Sequence, residues 1–135
     1  MKKVWAVYFS GTGTTKKTVN FIADKLAERL KIEKEIFDFT LPEARKDIKE
    51  FDKNDIVIFG TPVIAGRVPN VLLKYLDTLK GNGALAVPVV LFGNRDFNDA
   101  LMELSDILAK DGFKPIGAGA FVGEHSFSKI LAQGR

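Results

Sequence analysis

Val4-Trp5-Ala6-Val7-Tyr8-Phe9-Ser10-Gly11-Thr12-Gly13-Thr14-Thr15 is an apolar run that stops abruptly at glycines and hydroxyls. Six apolar, β-favouring residues without polar alternation predict a strand buried on both faces, the pattern of a parallel sheet covered by helices. Past the turn, Val19, Ile22, Ala23, Leu26, Ala27 and Leu30 recur at three- and four-residue spacing. That spacing predicts a helix over 15–30 with one apolar stripe.

The same alternation runs down the chain. A second strand is expected over 35–39. Thr40 and Glu43 read as a capping box that starts a brief helix toward Glu50. A third strand is expected over 56–59, ended by Gly60-Thr61-Pro62. The next helix carries Val68, Val71, Leu72, Tyr75, Leu76 and Leu79, and Gly81-Asn82-Gly83 closes it. A fourth strand is expected over 87–92, with Pro88 at its start because proline cannot donate to a ladder. The following helix holds Leu101, Leu104, Ile107 and Leu108, and Gly112 stops it. A fifth strand is expected over 116–122, and Ile130-Leu131-Ala132 reads as the start of a last helix. Five strands alternating with helices predict an open, parallel, doubly wound α/β sheet. Right-handed crossovers put helices on both faces. Ligands of such sheets bind beyond the carboxyl ends of the strands, where the strand order reverses. The loops after strands one, three and four are therefore the places where chemistry is expected.

Composition narrows that chemistry. The 135 residues predict one domain, 1–135, and eleven Phe within a 46% apolar chain supply a core. With no Cys, disulfides, thiolate nucleophiles and Cys-held zinc or iron–sulfur clusters are excluded; with one His besides, no metal site is expected. No apolar run approaches the ~20 residues of a spanning helix, and the N-terminus lacks a signal-peptide core. A cytoplasmic location and no membrane partner are expected. The formal charge of +3 comes from lysines scattered among Asp and Glu, a solvated surface rather than a nucleic-acid site.

The first loop, Ser10 to Thr15, offers four hydroxyls and the N–H groups of a helix N-terminus, a donor-rich nest for phosphate. A nucleotide P-loop needs Gly-Lys-Ser or Gly-Lys-Thr, and the chain has no Gly-Lys pair. A dinucleotide fingerprint needs a third glycine where Lys16 stands. Ser10 and Gly60 occupy the strand ends where a phosphoacceptor receiver would carry acids.

The run Tyr8-Phe9-Ser10-Gly11-Thr12-Gly13-Thr14-Thr15 resembles the FMN phosphate loop of flavodoxins, with Thr14 where short-chain members usually carry Asn. The resemblance implies a flavodoxin-like three-layer α/β/α sandwich with a five-stranded parallel sheet of order 2-1-3-4-5 and non-covalent FMN as cofactor. It assigns Ser10, Gly11, Thr12, Gly13, Thr14 and Thr15 to the phosphate. It assigns Thr61, Pro62, Val63, Ile64, Ala65, Gly66 and Arg67 to one side of the flavin ring. Val63 or Ile64 replaces the usual aromatic there, and the Ala65–Gly66 peptide stands where a carbonyl meets the reduced flavin N5. Gly93, Asn94, Arg95, Asp96 and Phe97 form the third loop, with Phe97 at the spacing of a second stacking residue. The implied function is electron transfer through FMN without dedicated acid–base residues. The rivals are an NAD(P)H-dependent FMN or quinone reductase and an interaction module that no longer binds flavin.

Gly66-Arg67-Val68-Pro69, Gly93-Asn94-Arg95, Asp99-Ala100-Leu101 and Glu124-His125-Ser126-Phe127 resemble the flavodoxin half of bacterial and archaeal flavodoxin–ferredoxin fusions. Those fusions carry eight cluster-ligating Cys that are absent here. The chain is therefore expected to be an isolated domain or a product without the cluster half, with an incomplete last helix. Ferredoxin-type redox partners follow from the resemblance, and self-association from the apolar surface such a helix leaves open. His125 reads as a residue that fixes its loop. Arg67 and Arg95 near the flavin predict a less negative two-electron potential than in acidic flavodoxins.

Overall fold

The computed structural model describes residues 2–10, 13–63, 67–92 and 98–122. Strands β1 (Lys3–Tyr8), β2 (Glu33–Asp38), β3 (Ile56–Pro62) and β4 (Leu85–Phe92) alternate with helices α1 (Thr14–Leu30), α2 (Asn70–Leu76) and α3 (Asn98–Lys110). Two short strands, β5 (Lys114–Pro115) and β6 (Gly119–Val122), finish the described chain. The sheet is parallel and runs β2-β1-β3-β4-β5, with β6 also paired to β4. This is the flavodoxin-like order expected from sequence. β1 lies between β2 and β3, so the order reverses at β1/β3.

The continuous apolar strands are covered on both sides. α1 buries Val19, Ala23 and Ala27 with Val4, Ala6, Tyr8, Ile56 and Ile58. α2 and α3 bury Leu72, Leu76, Leu104 and Leu108 against Val7, Phe59 and Val90 on the other face. Leu30 ends the predicted stripe but is 45% exposed, whereas Ala27 is buried.

Four local expectations need correction. β3 does not end at Phe59; it continues through Gly60, Thr61 and Pro62, paired with β4 as far as Pro62–Leu91. Gly60 is required by packing: a Cβ there would lie 2.3 Å from Val19 Cγ2 and 3.2 Å from Thr15 Cγ2. Pro88 is not at the start of β4 but its fourth residue. Lys114 and Ile116 donate to the carbonyls of Ala84 and Ala86, whereas Leu85 donates to Asp55 and Leu91 accepts from Val63. Even-numbered positions of β4 therefore face the sheet edge, and the donor that Pro88 lacks is one that would have served the edge strand. The edge is interrupted there, which splits the expected fifth strand into β5 and β6 around residues 116–118. Finally, Thr40 caps no helix. Only a 3₁₀ turn forms at Pro42–Arg45, with Leu41 before it, and Thr40 serves the first loop instead.

Candidate functional site

β1 delivers Ser10 to the carboxyl edge of the sheet, where α1 begins. The Ser10 hydroxyl accepts from Gly13 N at 3.0 Å and from Lys16 N at 3.1 Å. Gly13 precedes α1 with φ 94°, a left-handed conformation that costs glycine little and turns the chain tightly into the helix. Two N–H groups of the loop and first helical turn thus converge on one oxygen, the geometry of an anion nest. Ser10 N donates to Thr40 Oγ1 at 2.9 Å, and Thr40 is itself held by Asp38 Oδ1, through both its N–H and its hydroxyl. The loop is thereby fastened to the end of β2. Sequence reasoning missed Asp38 and Thr40. The Asp-x-Thr spacing is a local turn signal, but its tie to Ser10 spans 30 residues and exists only once β1 and β2 pair.

Thr14 is half-buried and Thr15 is buried, with its methyl group toward Gly60. Phe9 N donates to Gly60 O at 3.2 Å, so the ends of β1 and β3 adjoin. Thr61 is wholly buried and its hydroxyl has no hydrogen-bond partner among the described residues. Val63 N donates to Leu91 O at 2.8 Å, which ties the second loop to the end of β4. The structure therefore brings Ser10, Gly13, Thr14 and Thr15 beside Thr61, Pro62 and Val63. Gly11, Thr12, Ile64, Ala65, Gly66, Gly93, Asn94, Arg95, Asp96, Phe97 and His125 lie outside the described residues.

Arg67 is exposed and committed to α3. Its Nε and Nη2 meet Glu103 Oε1 and Oε2 at 3.1 and 2.6 Å, a forked charge-assisted pair. Val68 N, on a buried residue, donates to the same Oε1 at 3.1 Å. The hydrogen bond from Arg67 holds the Glu103 carboxyl below its ordinary value against partial desolvation. Glu103, too, is a residue whose role the sequence did not reveal. Its signal is only a partly buried acid on the apolar side of a helix, and its partners are 35 and 36 residues away. The positive charge that Arg67 was expected to lend the site is thus offset by an adjacent carboxylate.

A family model described as a flavodoxin domain matches residues 6–110. A search of the curated proteins finds no match. Among solved structures, the chain is similar to the flavodoxin of Streptococcus pneumoniae TIGR4, with 18% identity and a TM-score of 0.67 over 98% of this chain and 94% of that one. It is similar to an apo NADH:FMN oxidoreductase, with 19% identity and a TM-score of 0.75 over 98% and 80% of the two chains. The two-electron-reduced flavodoxin of Megasphaera elsdenii matches with 16% identity and a TM-score of 0.66 over 98% and 96%.

Proposed function

Starting from the family to which the chain belongs, the flavodoxin domain family, we propose that it is an FMN-dependent electron-transfer protein. The observation that carries this reading is the convergence of Gly13 N and Lys16 N on Ser10 Oγ, at the reversal of strand order. Those donors suit a phosphate oxygen, and Ser10 hydroxyl occupies the centre of the nest. The buried Thr61 hydroxyl supports the same fit, since it keeps its hydrogen-bonding capacity at the end of the neighbouring strand.

In this reading Ser10, Gly11, Thr12, Gly13, Thr14 and Thr15 hold the phosphate. Thr61, Pro62, Val63, Ile64, Ala65, Gly66 and Arg67 line one side of the flavin, and Gly93, Asn94, Arg95, Asp96 and Phe97 the other. The bound flavin supplies the electron-accepting and electron-donating chemistry. Asp38 and Thr40 position Ser10, and Glu103 anchors the exit of the second loop. No side chain is required as a general acid or base. The resemblance to flavodoxin–ferredoxin fusions supports a ferredoxin-type partner.

Titration of the purified chain with FMN tests the proposal. Saturable quenching of FMN fluorescence and a shifted visible spectrum are expected, and Ser10→Ala weakens both. Unquenched FMN at saturating protein overturns the reading in favour of an interaction module. A second reading, an NAD(P)H-dependent flavin reductase, is favoured by the similarity to the NADH:FMN oxidoreductase. Sustained NADH oxidation by the FMN-loaded protein selects it; transfer only between protein partners selects the carrier.

A further inference from the structure

On the sheet face opposite α1, the Lys49 side chain reaches into a pocket made by three aromatic rings. Its Nζ lies 4.1 Å from the centre of the Trp5 ring, 5.1 Å from Phe37 and 5.4 Å from Phe51. All three distances fall within the ~6 Å of a cation–π contact. Trp5 and Phe51 hold each other edge to face, with ring centres 5.4 Å apart and planes at 87°. The backbone fixes the lysine as well. Lys80 N donates to Lys49 O at 3.1 Å, and Phe51 N donates to Lys80 O at 2.9 Å. Trp5 comes from β1, Phe37 from β2, and Lys49 and Phe51 from the segment after the 3₁₀ turn, so the pocket exists only in the folded chain.

A lysine head carries three N–H donors, and ring faces satisfy them poorly. Lys49 nevertheless makes no ion pair and no side-chain hydrogen bond among the described residues. Glu35 is the acid that acts on it most strongly, but Glu35 is committed to Lys3 at 3.3 Å. Asp55, the second acid, is buried and accepts from Asp52 N at 2.9 Å. Burial lowers the Lys49 pKa from its ordinary value, with Lys3 acting the same way and Glu35 and Asp55 against it. The neutral amine, with its free electron pair, is therefore reached more readily than on a solvated lysine. The side chain is half-buried rather than enclosed, and Lys46, Asp47, Ile48 and Glu50 around it in the chain are exposed. Residues 46–49 form neither helix nor strand, so a modifying enzyme meets an open segment there.

We propose that Lys49 is a site of Nε-methylation whose methylammonium product is held by Trp5, Phe37 and Phe51. The methyl donor is a methylsulfonium compound presented by a methyltransferase. The ammonium first releases a proton to solvent. The neutral amine then attacks the methyl carbon, and the carbon–sulfur bond breaks with its electron pair staying on sulfur as a thioether. The product nitrogen carries the positive charge, and nothing is oxidised or reduced. Methylation keeps the charge that the rings attract and replaces partnerless N–H groups with carbon that packs on the ring faces. Acylation of the same nitrogen would discard that charge. None of these residues belongs to the flavin loops, so the site stands or falls independently of FMN binding.

Peptide mass spectrometry of the chain purified from its own cells is the first test. Methyl groups on Lys49 in most copies are expected. An unmodified Lys49 overturns the proposal, and so does an acylated one. The fit of the product is tested separately on the recombinant full chain, dimethylated at its lysines with isotope-labelled formaldehyde and a borane reductant and read by proton–carbon NMR. The Lys49 methyl signal, assigned by its loss in Lys49→Arg, is expected upfield of the signals of exposed lysines, because its methyls lie over ring faces. Trp5→Leu removes the nearest ring and should return the signal toward the others. Phe37→Leu, at a half-buried position of the edge strand, keeps β2 apolar and should reduce the upfield displacement. A Lys49 signal that coincides with those of the exposed lysines, or one that neither ring substitution moves, overturns the proposal.

Discussion

Asp111, just past α3, carries the largest electrostatic perturbation among the described side chains. Burial, helped by the nearby negative charge of Asp77 and opposed by Lys110, pushes its carboxyl up to about 7. One carboxylate oxygen is enclosed without a hydrogen-bond donor among the described residues. The unfolded carboxyl titrates in the ordinary range near 3.8, so the folded chain holds an extra proton between that value and about 7. This group's contribution to stability is therefore present at low pH and is lost as pH rises through that window. Asp111→Asn is expected to raise the melting temperature well above pH 7 and to change it little near pH 4, in paired thermal melts. Gly60 is limited by space rather than charge. Gly60→Ala places a methyl 2.3 Å from Val19 Cγ2 and is expected to destabilise the fold by about 1–3 kcal/mol in urea titrations. Val19→Ala in the same chain should recover part of that loss, and no recovery would mean that the close approach is not the cause.

At the scale of elements, the turn into α1 and the return from β3 are fixed in different ways. Ser10 Oγ satisfies Lys16 N in the first turn of α1, so Ser10→Ala should cost about 0.5–2 kcal/mol as a lost helix cap, besides the weaker FMN binding that the proposed function predicts. Chemical denaturation separates the two effects. The return loop depends on α3. Glu103→Ala leaves the buried Val68 N–H without its acceptor and should destabilise by about 1–3 kcal/mol. Because pairing with Arg67 depresses the Glu103 carboxyl, its contribution is present at neutral pH and disappears as pH falls below the ordinary glutamate range. The α1 stripe and the hydroxyl-rich first loop were legible because strand burial and helical periodicity are local properties. The anchoring roles of Thr40 and Glu103 were not, since each acts on a partner that only strand order or helix docking brings within reach, and the local Asp38–Thr40 turn gains its role only through that tie to Ser10. Likewise, the capping-box spacing of Thr40 and Glu43 was real in sequence, but pairing of the Thr40 hydroxyl with Ser10 and Asp38 took precedence.

At the scale of the whole molecule, the expectation that Arg67 adds positive charge near the flavin meets one structural fact among the described residues. The carboxylate of Glu103 accompanies Arg67 at hydrogen-bond distance. Glu103→Gln keeps an acceptor for Val68 N and removes the compensating charge. In the FMN-loaded protein it should move the two-electron potential to less negative values, on the order of tens of millivolts, at low ionic strength. An unchanged potential would place Arg67 too far from the flavin to matter.

The sequence by itself determined the layer architecture, because uninterrupted apolar strands joined by amphipathic helices have few other ways to bury both strand faces. It also displayed the glycines and hydroxyls gathered at the junction of β1 and α1, since those residues are contiguous in the chain. Only the tertiary structure decided how far β3 extends, where Pro88 falls in β4 and which carboxylate holds Arg67. Those outcomes depend on register and docking between segments 30 or more residues apart in most cases, and such distances carry no periodic signal in a single chain.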